Sequence, residues 1–308
     1  MEKSLTVIIP TYNSEFFLEE AIKSVENQSL NDFEIIVVDD GSTDNTKYLV
    51  DRLKKSYKNI TYVYNENKGV SSARNLGIKL SKTRYISFLD ADDIYERNFV
   101  EKMLGKIKKT DADLVACSYY IFSPDRKIKE NTMFIEENFL LNYIIGINKI
   151  NTSNFIIDRR FLEKNNLIFD ENLSWNENFD FFVRSINRAE KTSLVGEYLT
   201  SYRFDFDNKT LSEFSWDKLQ KDKKIILNLL ANKDLDFDEI QKDALLNYKL
   251  PELLSDSFYK AIKLAYKKEE IRKYFRKYKK YMDKISLKYG IRSIKLYIKI
   301  KFLKIRLR

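Results

Sequence analysis

The stretch RYISFLDADDIY, Arg84 to Tyr95, decides the fold. Tyr85 to Leu89 reads as a short buried strand, and Asp90, Asp92 and Asp93 crowd onto its C-terminal end. In open α/β sheets ligands bind beyond the carboxyl ends of the strands, so the acidic cluster falls where a ligand is expected. Carboxylates this close repel one another unless a cation or solvent lies between them, and hard oxygen ligands suit Mg²⁺ or Mn²⁺. The stretch reads as a metal seat. The same residues also fit a solvated acidic turn that caps a helix starting near Glu96.

Upstream, the same pattern repeats. Leu5 to Ile9 is a β-branched apolar run stopped by Pro10, and Thr11-Tyr12-Asn13 makes a polar turn before an amphipathic segment from Phe16 to Gln28. Glu34 to Val38 is a second strand; it runs into Asp39-Asp40-Gly41-Ser42-Thr43-Asp44, and a helix follows to about Tyr57, with Ser42, Thr43 or Asp44 available as its cap. Ile60 to Tyr64 is a third strand, and Gly69 opens a helix through Leu80. Strands alternating with helices predict a parallel-type sheet with its polar loops at the strand ends. Neither GxGxxG nor GxxxxGK[ST] occurs, which argues against a dinucleotide oxidoreductase or a P-loop NTPase. A pyrophosphate here would be neutralised by a carboxylate-held divalent cation instead.

Composition removes other chemistries. The 308 residues include no histidine, which excludes histidine zinc sites, histidine bases and Ser-His-Asp triads. A single cysteine, Cys117, excludes intramolecular disulfides and suits a reducing cytoplasm. The opening MEKSLTVIIP has too short an apolar run for a signal peptide, and no apolar stretch approaches membrane-spanning length, so a soluble or peripheral protein is expected. The net charge of +9 is uneven: residues 267–308 hold 17 Lys/Arg against 3 Asp/Glu, and residues 1–266 are net −5. The basicity belongs to a tail.

VIIPTYN at 7–13, EIIVVDDGSTDNT at 34–46, NKGVSSARNLGI at 67–78 and ISFLDADD at 86–93 together resemble the inverting glycosyltransferases of family 2, of the bacterial, non-processive type. The resemblance implies the GT-A fold, an α/β Rossmann-like nucleotide-binding sheet with helices on both faces. It implies a nucleotide-sugar site built from Pro10, Tyr12, Asp39, Asp40, Arg74 and Asp90. Within it Tyr12 lies against the base, Asp40 accepts from the uracil N–H, Asp39 serves the ribose region and Arg74 contacts the donor nucleotide. Asp92 binds Mn²⁺ or Mg²⁺ directly, and Asp90 serves the ribose and the metal. Asp93 is expected in a supporting role or as a helix cap.

FIIDRRFLEKNNLIFDENLSWNENFDFFVRS, from Phe155 to Ser185, resembles the family's later block, in which a Glu-Asp pair opens a helix and the Asp is the general base. This chain has Glu177-Asn178 there, and an amide has no useful basicity at neutral pH. Three readings stand. Glu177 or Asp180, one helical turn apart, takes over as base; Asn178 is a deliberate substitution that traps a substrate complex; or the chain is a catalytically silent relative that binds nucleotide sugar. Against Glu177, Ser174-Trp175-Asn176-Glu177 fits an S-x-x-E capping box.

The expected organisation is a catalytic domain over 1–210, with a nucleotide-sugar half at 1–95 and an acceptor half at 96–210, and a helical appendage over 211–308 ending in a basic amphipathic tail, 286–308. In the tail, plotted at about 100° per residue, Ile291, Ile294, Ile298, Phe302 and Ile305 form one apolar stripe and Leu296, Ile300, Leu303 and Leu307 the opposite one. Such a helix packs one stripe on its own domain and offers the other to an anionic membrane surface, or else to a dimer interface or solvent. No QxxRW follows the acidic block, which by comparison with the family's processive synthases implies one sugar per transfer. The expected activity is hexosyl or N-acetylhexosaminyl transfer from a UDP-linked donor to a glycan or lipid-linked glycan in cell-surface polysaccharide assembly, at the cytoplasmic face of the membrane. A protein acceptor is the alternative. Nucleic-acid binding is disfavoured, because the tail shows apolar stripes rather than exposed aromatics and the rest of the chain is acidic.

Overall fold

The structure is a computed structural model, and it describes residues 3–204 and 214–307. Two compact units divide the chain, one drawn from Met1–Phe139 and Ile147–Thr210, the other from Leu140–Gly146 and Leu211–Arg308. The boundary expected at 210/211 lies outside the described residues.

The first unit begins with β1 (Leu5–Thr11), α1 (Leu18–Glu26), β2 (Phe33–Asp39), α2 (Thr46–Ser56), β3 (Ile60–Tyr64), α3 (Val70–Leu80) and β4 (Tyr85–Phe88). It continues through β5 (Ile94–Tyr95), α4 (Phe99–Thr110), β6 (Leu114–Ser123) and β7 (Arg126–Lys129). The helix α5 (Phe139–Ile144) lies almost wholly in the second unit. A 3₁₀ turn (Thr152–Asn154), β8 (Phe155–Asp158), α6 (Arg159–Lys164), α7 (Glu177–Arg188) and β9 (Thr192–Arg203) follow.

The sheet runs β3-β2-β1-β4-β8-β6-β9-β5, with β7 on the edge of β6. The first four strands are parallel, as the alternating pattern predicts. Beyond them the sheet is mixed: β8 is antiparallel to both β4 and β6, β9 is parallel to β6, and β5 is antiparallel to β9. Thr192–Arg203 is one long strand, β9, with an irregularity where it passes β6.

Every residue of β1 is buried, as a central strand covered by helices on both faces requires. Burial of Leu18, Ala21, Ile22 and Val25 on α1 gives the one-sided stripe that holds it against the sheet. Pro10 does not stop β1, which continues to Thr11. Pairing with β4 ends at Ile8 and Phe88, and Ile8 O accepts from Leu89 N, so two residues on Pro10 faces that same side where no ladder remains. Its missing N–H therefore costs no bond. On the other side, α3 comes so close that a Cβ on Gly77 would sit 2.3 Å from Ile8 Cγ2. Cys117 is a core residue, its thiol pushed up to about 12 by burial.

The second unit is helical: α8 (Asp217–Ala231), α9 (Glu239–Ala244), a π turn (Leu245–Lys249), α10 (Leu250–Lys263), α11 (Lys268–Met282) and α12 (Ile291–Arg306). Its core includes the Trp216 ring stacked on Tyr274 at 4.3 Å and flanked by Phe214 and Tyr266. Among the described residues no helix is long and apolar enough to cross a membrane.

Candidate active site

Two acidic corners form where the parallel strands end. At the first, β1 and β2 leave the sheet side by side and their loops clasp each other. Asn13 N donates to Ser42 Oγ (2.8 Å), Thr43 N to Asn13 Oδ1 (2.8 Å), and Ser14 N to Thr46 Oγ1 (2.9 Å). Of the three residues expected to cap α2, Asp44 comes nearest, accepting from Thr46 N at 3.0 Å, while Asn45 occupies the cap position itself. The clasp leaves Tyr12 half exposed at the tip.

Asp39 and Asp40 are buried behind it. Asp39 accepts from Ser42 N (2.8 Å) and from the Tyr62 hydroxyl (2.7 Å), so each of its oxygens already has a protein donor. Burial and the Asp39 carboxylate push the Tyr62 phenol up, keeping it a donor. Asp39, expected at the ribose, ties a turn to β3 in the structure and, with two donors against a carboxylate's roughly four acceptor sites, retains capacity for more. Asp40 accepts from Asn65 Nδ2 (2.8 Å), Lys68 N (2.9 Å) and Gly69 N (2.8 Å), which draws the loop after β3 onto the start of α3. A carboxylate offers about four acceptor sites, so Asp40 retains capacity for one more donor. The turn needs Gly41 (φ +85°), where a Cβ would meet Asn67 Cβ at 2.9 Å.

The second corner is the acidic cluster. Asp93 is buried, accepting from Ser153 Oγ (3.0 Å) and Arg203 N (3.1 Å). Burial, with Asp90 and Asp92 beside it, pushes its carboxyl well above the usual range. It is a supporting residue rather than a helix cap, since α4 starts only at Phe99, after β5. Asp92, itself solvent-exposed, is also raised, by local desolvation in the corner and by the charge of Asp90, and its carbonyl accepts from Arg203 Nε at 2.9 Å. Asp90 accepts from Arg74 Nη2 at 2.8 Å.

Arg74 joins this corner to α7. It projects from α3, is 2% exposed, and lies 5.2 Å over the Phe169 ring. Its Nη1 donates to Asn178 Oδ1 (2.7 Å) and to Glu177 Oε1 (3.2 Å), while its Nε is buried without a partner. Asn75 next to it bonds Phe169 N and O, at 2.9 Å each, which stitches α3 to the approach to α7. The capping box expected at Ser174 to Glu177 is not the helix start: Asn176, in the left-handed region at φ 58°, takes the cap position and Glu177 is the first helical residue. The Glu177 carboxylate is thereby turned to Arg74 instead of to its own backbone. Asp180, the other candidate base, is buried and accepts both Arg184 Nε and Nη2 at 2.8 Å. Burial raises its carboxyl despite that pairing.

Among the described residues no group of three or more acidic, cysteine or histidine side chains stands gathered for a metal ion. The donor set still fits a divalent cation of the kind held by one or two carboxylates plus substrate phosphates. Asp90 and Asp92 supply that number, and Arg74 on Asp90 and Arg203 near Asp92 offset part of their mutual repulsion. Ser153 and Arg203, which shape the corner, carry no local sequence signal; they lie 60 and 110 residues from Asp93.

The family described as Glycosyl transferase family 2 matches residues 6–207. The glycosyltransferase GlyG of Streptococcus pneumoniae is 30% identical over 230 residues, covering 70% of this chain and 76% of GlyG. The uncharacterized glycosyltransferase EpsJ of Bacillus subtilis is 30% identical over 209 residues, covering 65% of this chain. The match spans only 60% of EpsJ's own length. A crystal structure of S. aureus TarS 1–349 in complex with UDP-GlcNAc superposes with a TM-score of 0.74 at 24% identity, covering 92% of this chain and 82% of that one. At that identity the likeness establishes the shared fold.

Proposed function

Because the chain belongs to glycosyl transferase family 2, we propose that it moves one hexose or N-acetylhexosamine from a UDP-linked donor to a glycan hydroxyl, with inversion. The observation that carries this reading is Arg74: one buried guanidinium ties the acidic corner at Asp90 to the head of α7 at Glu177 and Asn178. UDP as the donor nucleotide is supported by the fold shared with TarS, which is crystallised with UDP and UDP-GlcNAc. Relatives named for teichoic acid synthesis, such as GgaB of Bacillus subtilis at 32% identity over 216 residues, support a cell-surface polymer as the acceptor class.

Tyr12 stacks on the base, and Asp40 uses its remaining acceptor capacity for the uracil N–H. Asp92 and Asp90 would hold Mn²⁺ or Mg²⁺, which supplies charge neutralisation for the departing diphosphate. The acceptor oxygen bonds to the anomeric carbon as the bond from that carbon to the diphosphate oxygen breaks, and the electron pair leaves on the diphosphate. The acceptor proton goes to Glu177. That carboxylate is assigned over Asp180 because it belongs to the Arg74 cluster, whereas Asp180 is spent on Arg184. Arg74 holds Glu177 in place.

One observation favours a second reading. Asn178 takes the shorter of the two Arg74 Nη1 contacts, and an amide there accepts no proton. On that reading the protein binds nucleotide sugar without transferring it. A panel of UDP-sugars scored for UDP release with Mn²⁺ tests both, using the chain as it stands, Glu177→Gln and Asn178→Asp. The proposed function expects measurable release, lost by about 100-fold or more in Glu177→Gln, in line with loss of a general base. Donor binding without release in the unaltered chain, with release appearing only in Asn178→Asp, would establish the second reading.

A further inference from the structure

The helix α12 divides lengthwise. Leu296, Ile300, Leu303 and Leu307 are buried, at 7% exposure or less, and hold α12 in the second unit. On the opposite side Ile291, Ile294, Ile298, Phe302 and Ile305 are 46–68% exposed. Five large apolar side chains in one stripe along a 16-residue helix form a contiguous face, unlike the scattered single exposures normal on a soluble surface.

The surroundings of that face are one-signed. Residues 284–308 contain nine Lys/Arg and no Asp or Glu. At about 100° per residue, Lys295 and Arg306 border the stripe on one side and Lys301 on the other, and all three are exposed. Two nearby lysines are drawn off by acids of the preceding helices, Lys299 to Asp256 and Lys304 to Asp283 at 2.7 Å. Among the described residues the bordering three form no such ion pair. The adjacent α11 adds exposed Lys273, Arg276, Lys277 and Lys280.

A second copy of the chain meeting this face with its own α12 would set Lys295, Lys301 and Arg306 against like charges. A partner that buries isoleucines while attracting cations is apolar inside and anionic at its surface. We propose that the outer face of α12 docks on an anionic phospholipid bilayer, lying in the interface plane with its isoleucines and Phe302 among the acyl chains and its lysines at the phosphates. Amphipathic helices with a basic border bind membranes in this way, with long cationic side chains reaching back to the headgroups. The helix lies flat because it is too short and too charged to cross. This surface stands independently of the transfer reaction, since lipid binding is read without any donor.

The test is co-flotation of the full chain with vesicles of phosphatidylcholine alone or with 30% phosphatidylglycerol. Flotation with the anionic vesicles, weak with the neutral ones and suppressed by salt, is expected. A basic residue at an anionic surface is worth a factor of about five, so Lys295→Gln with Lys301→Gln weakens partitioning about 25-fold. Ile294→Ser with Ile298→Ser and Phe302→Ser abolishes flotation while leaving the melting temperature within a degree or two, because none of the three supports the core. Equal flotation with both vesicle types, none with either, or unaltered flotation of the triple variant overturns the proposal. So does a wild-type dimer in solution that the triple variant dissociates, which would assign the face to a second copy.

Discussion

Two acidic corners end the same parallel sheet, and their carboxylates are used in opposite ways. Asp39 and Asp40 receive five hydrogen bonds from the protein itself, three of them from backbone N–H groups, and so bind the loop after β2 to β3 and to the loop that follows it. Asp90, Asp92 and Asp93 stand against one another, and two of the three are pushed up by desolvation and by their neighbours' charge. A carboxylate that accepts from several groups of its own chain holds a loop in place. One left short of positive charge keeps its capacity for a ligand, and the excess negative charge is what a divalent cation and a diphosphate would together resolve.

The contrast is open to direct attack, most severely at the residue that bridges the acidic cluster and α7. Arg74→Leu leaves Asp90 and Glu177 without their buried partner, so turnover should vanish and unfolding free energy should fall by about 3–5 kcal/mol, the usual cost of breaking a buried pair. Urea denaturation with stability near wild type would show that Arg74 does not organise the site. Asp92→Asn should lower UDP release by a factor of about 10² to 10³, as expected for removing one electrostatic contact to a departing group, with its manganese response gone.

The same variant should behave differently toward pH. A carboxyl raised in the folded state contributes stability below its unfolded pKa, near 4, and loses it as pH climbs through the raised value. Metal-free Asp92→Asn should therefore gain on wild type in melting temperature as pH rises above about 4. A constant difference between pH 4 and 8 would mean that the cluster is not repulsive.

At the other corner the losses should be chiefly structural, joined at Asp40 by weaker donor binding. Asp40→Ala strands Lys68 N and Gly69 N and should cost about 1–3 kcal/mol in denaturant titrations. Smallest is Tyr62→Phe, which removes one donor from Asp39 for about 0.5–1.5 kcal/mol and leaves the donor KM unchanged. A large KM change there would support Asp39 at the ribose, where the resemblance puts it.

Much of this was readable along the chain. The alternation of buried runs with one-sided helices predicted β1 to β4 and α1 to α4, with ends displaced by two or three residues, as at Leu18 for Phe16 and Phe99 for Glu96. The opposed stripes of α12 were readable too, because helical period and apolarity are properties of neighbouring residues. Pro10 misled, since a proline stops a strand only where its missing N–H would have been paired, and pairing depends on where β4 ends. Ser174 to Glu177 misled similarly: the local capping pattern lost to a guanidinium arriving from α3.

The amino-acid order by itself determined which segments are strands or helices, that the aspartates gather at strand ends, and that the net excess of positive charge lies in the last forty or so residues. Tertiary structure alone decided that Arg74 meets partners 103 and 104 residues away and that Arg203 closes over the acidic cluster. Periodicity is written in residues a few positions apart, whereas these pairings exist only once a packed sheet has brought distant side chains within 3 Å or so.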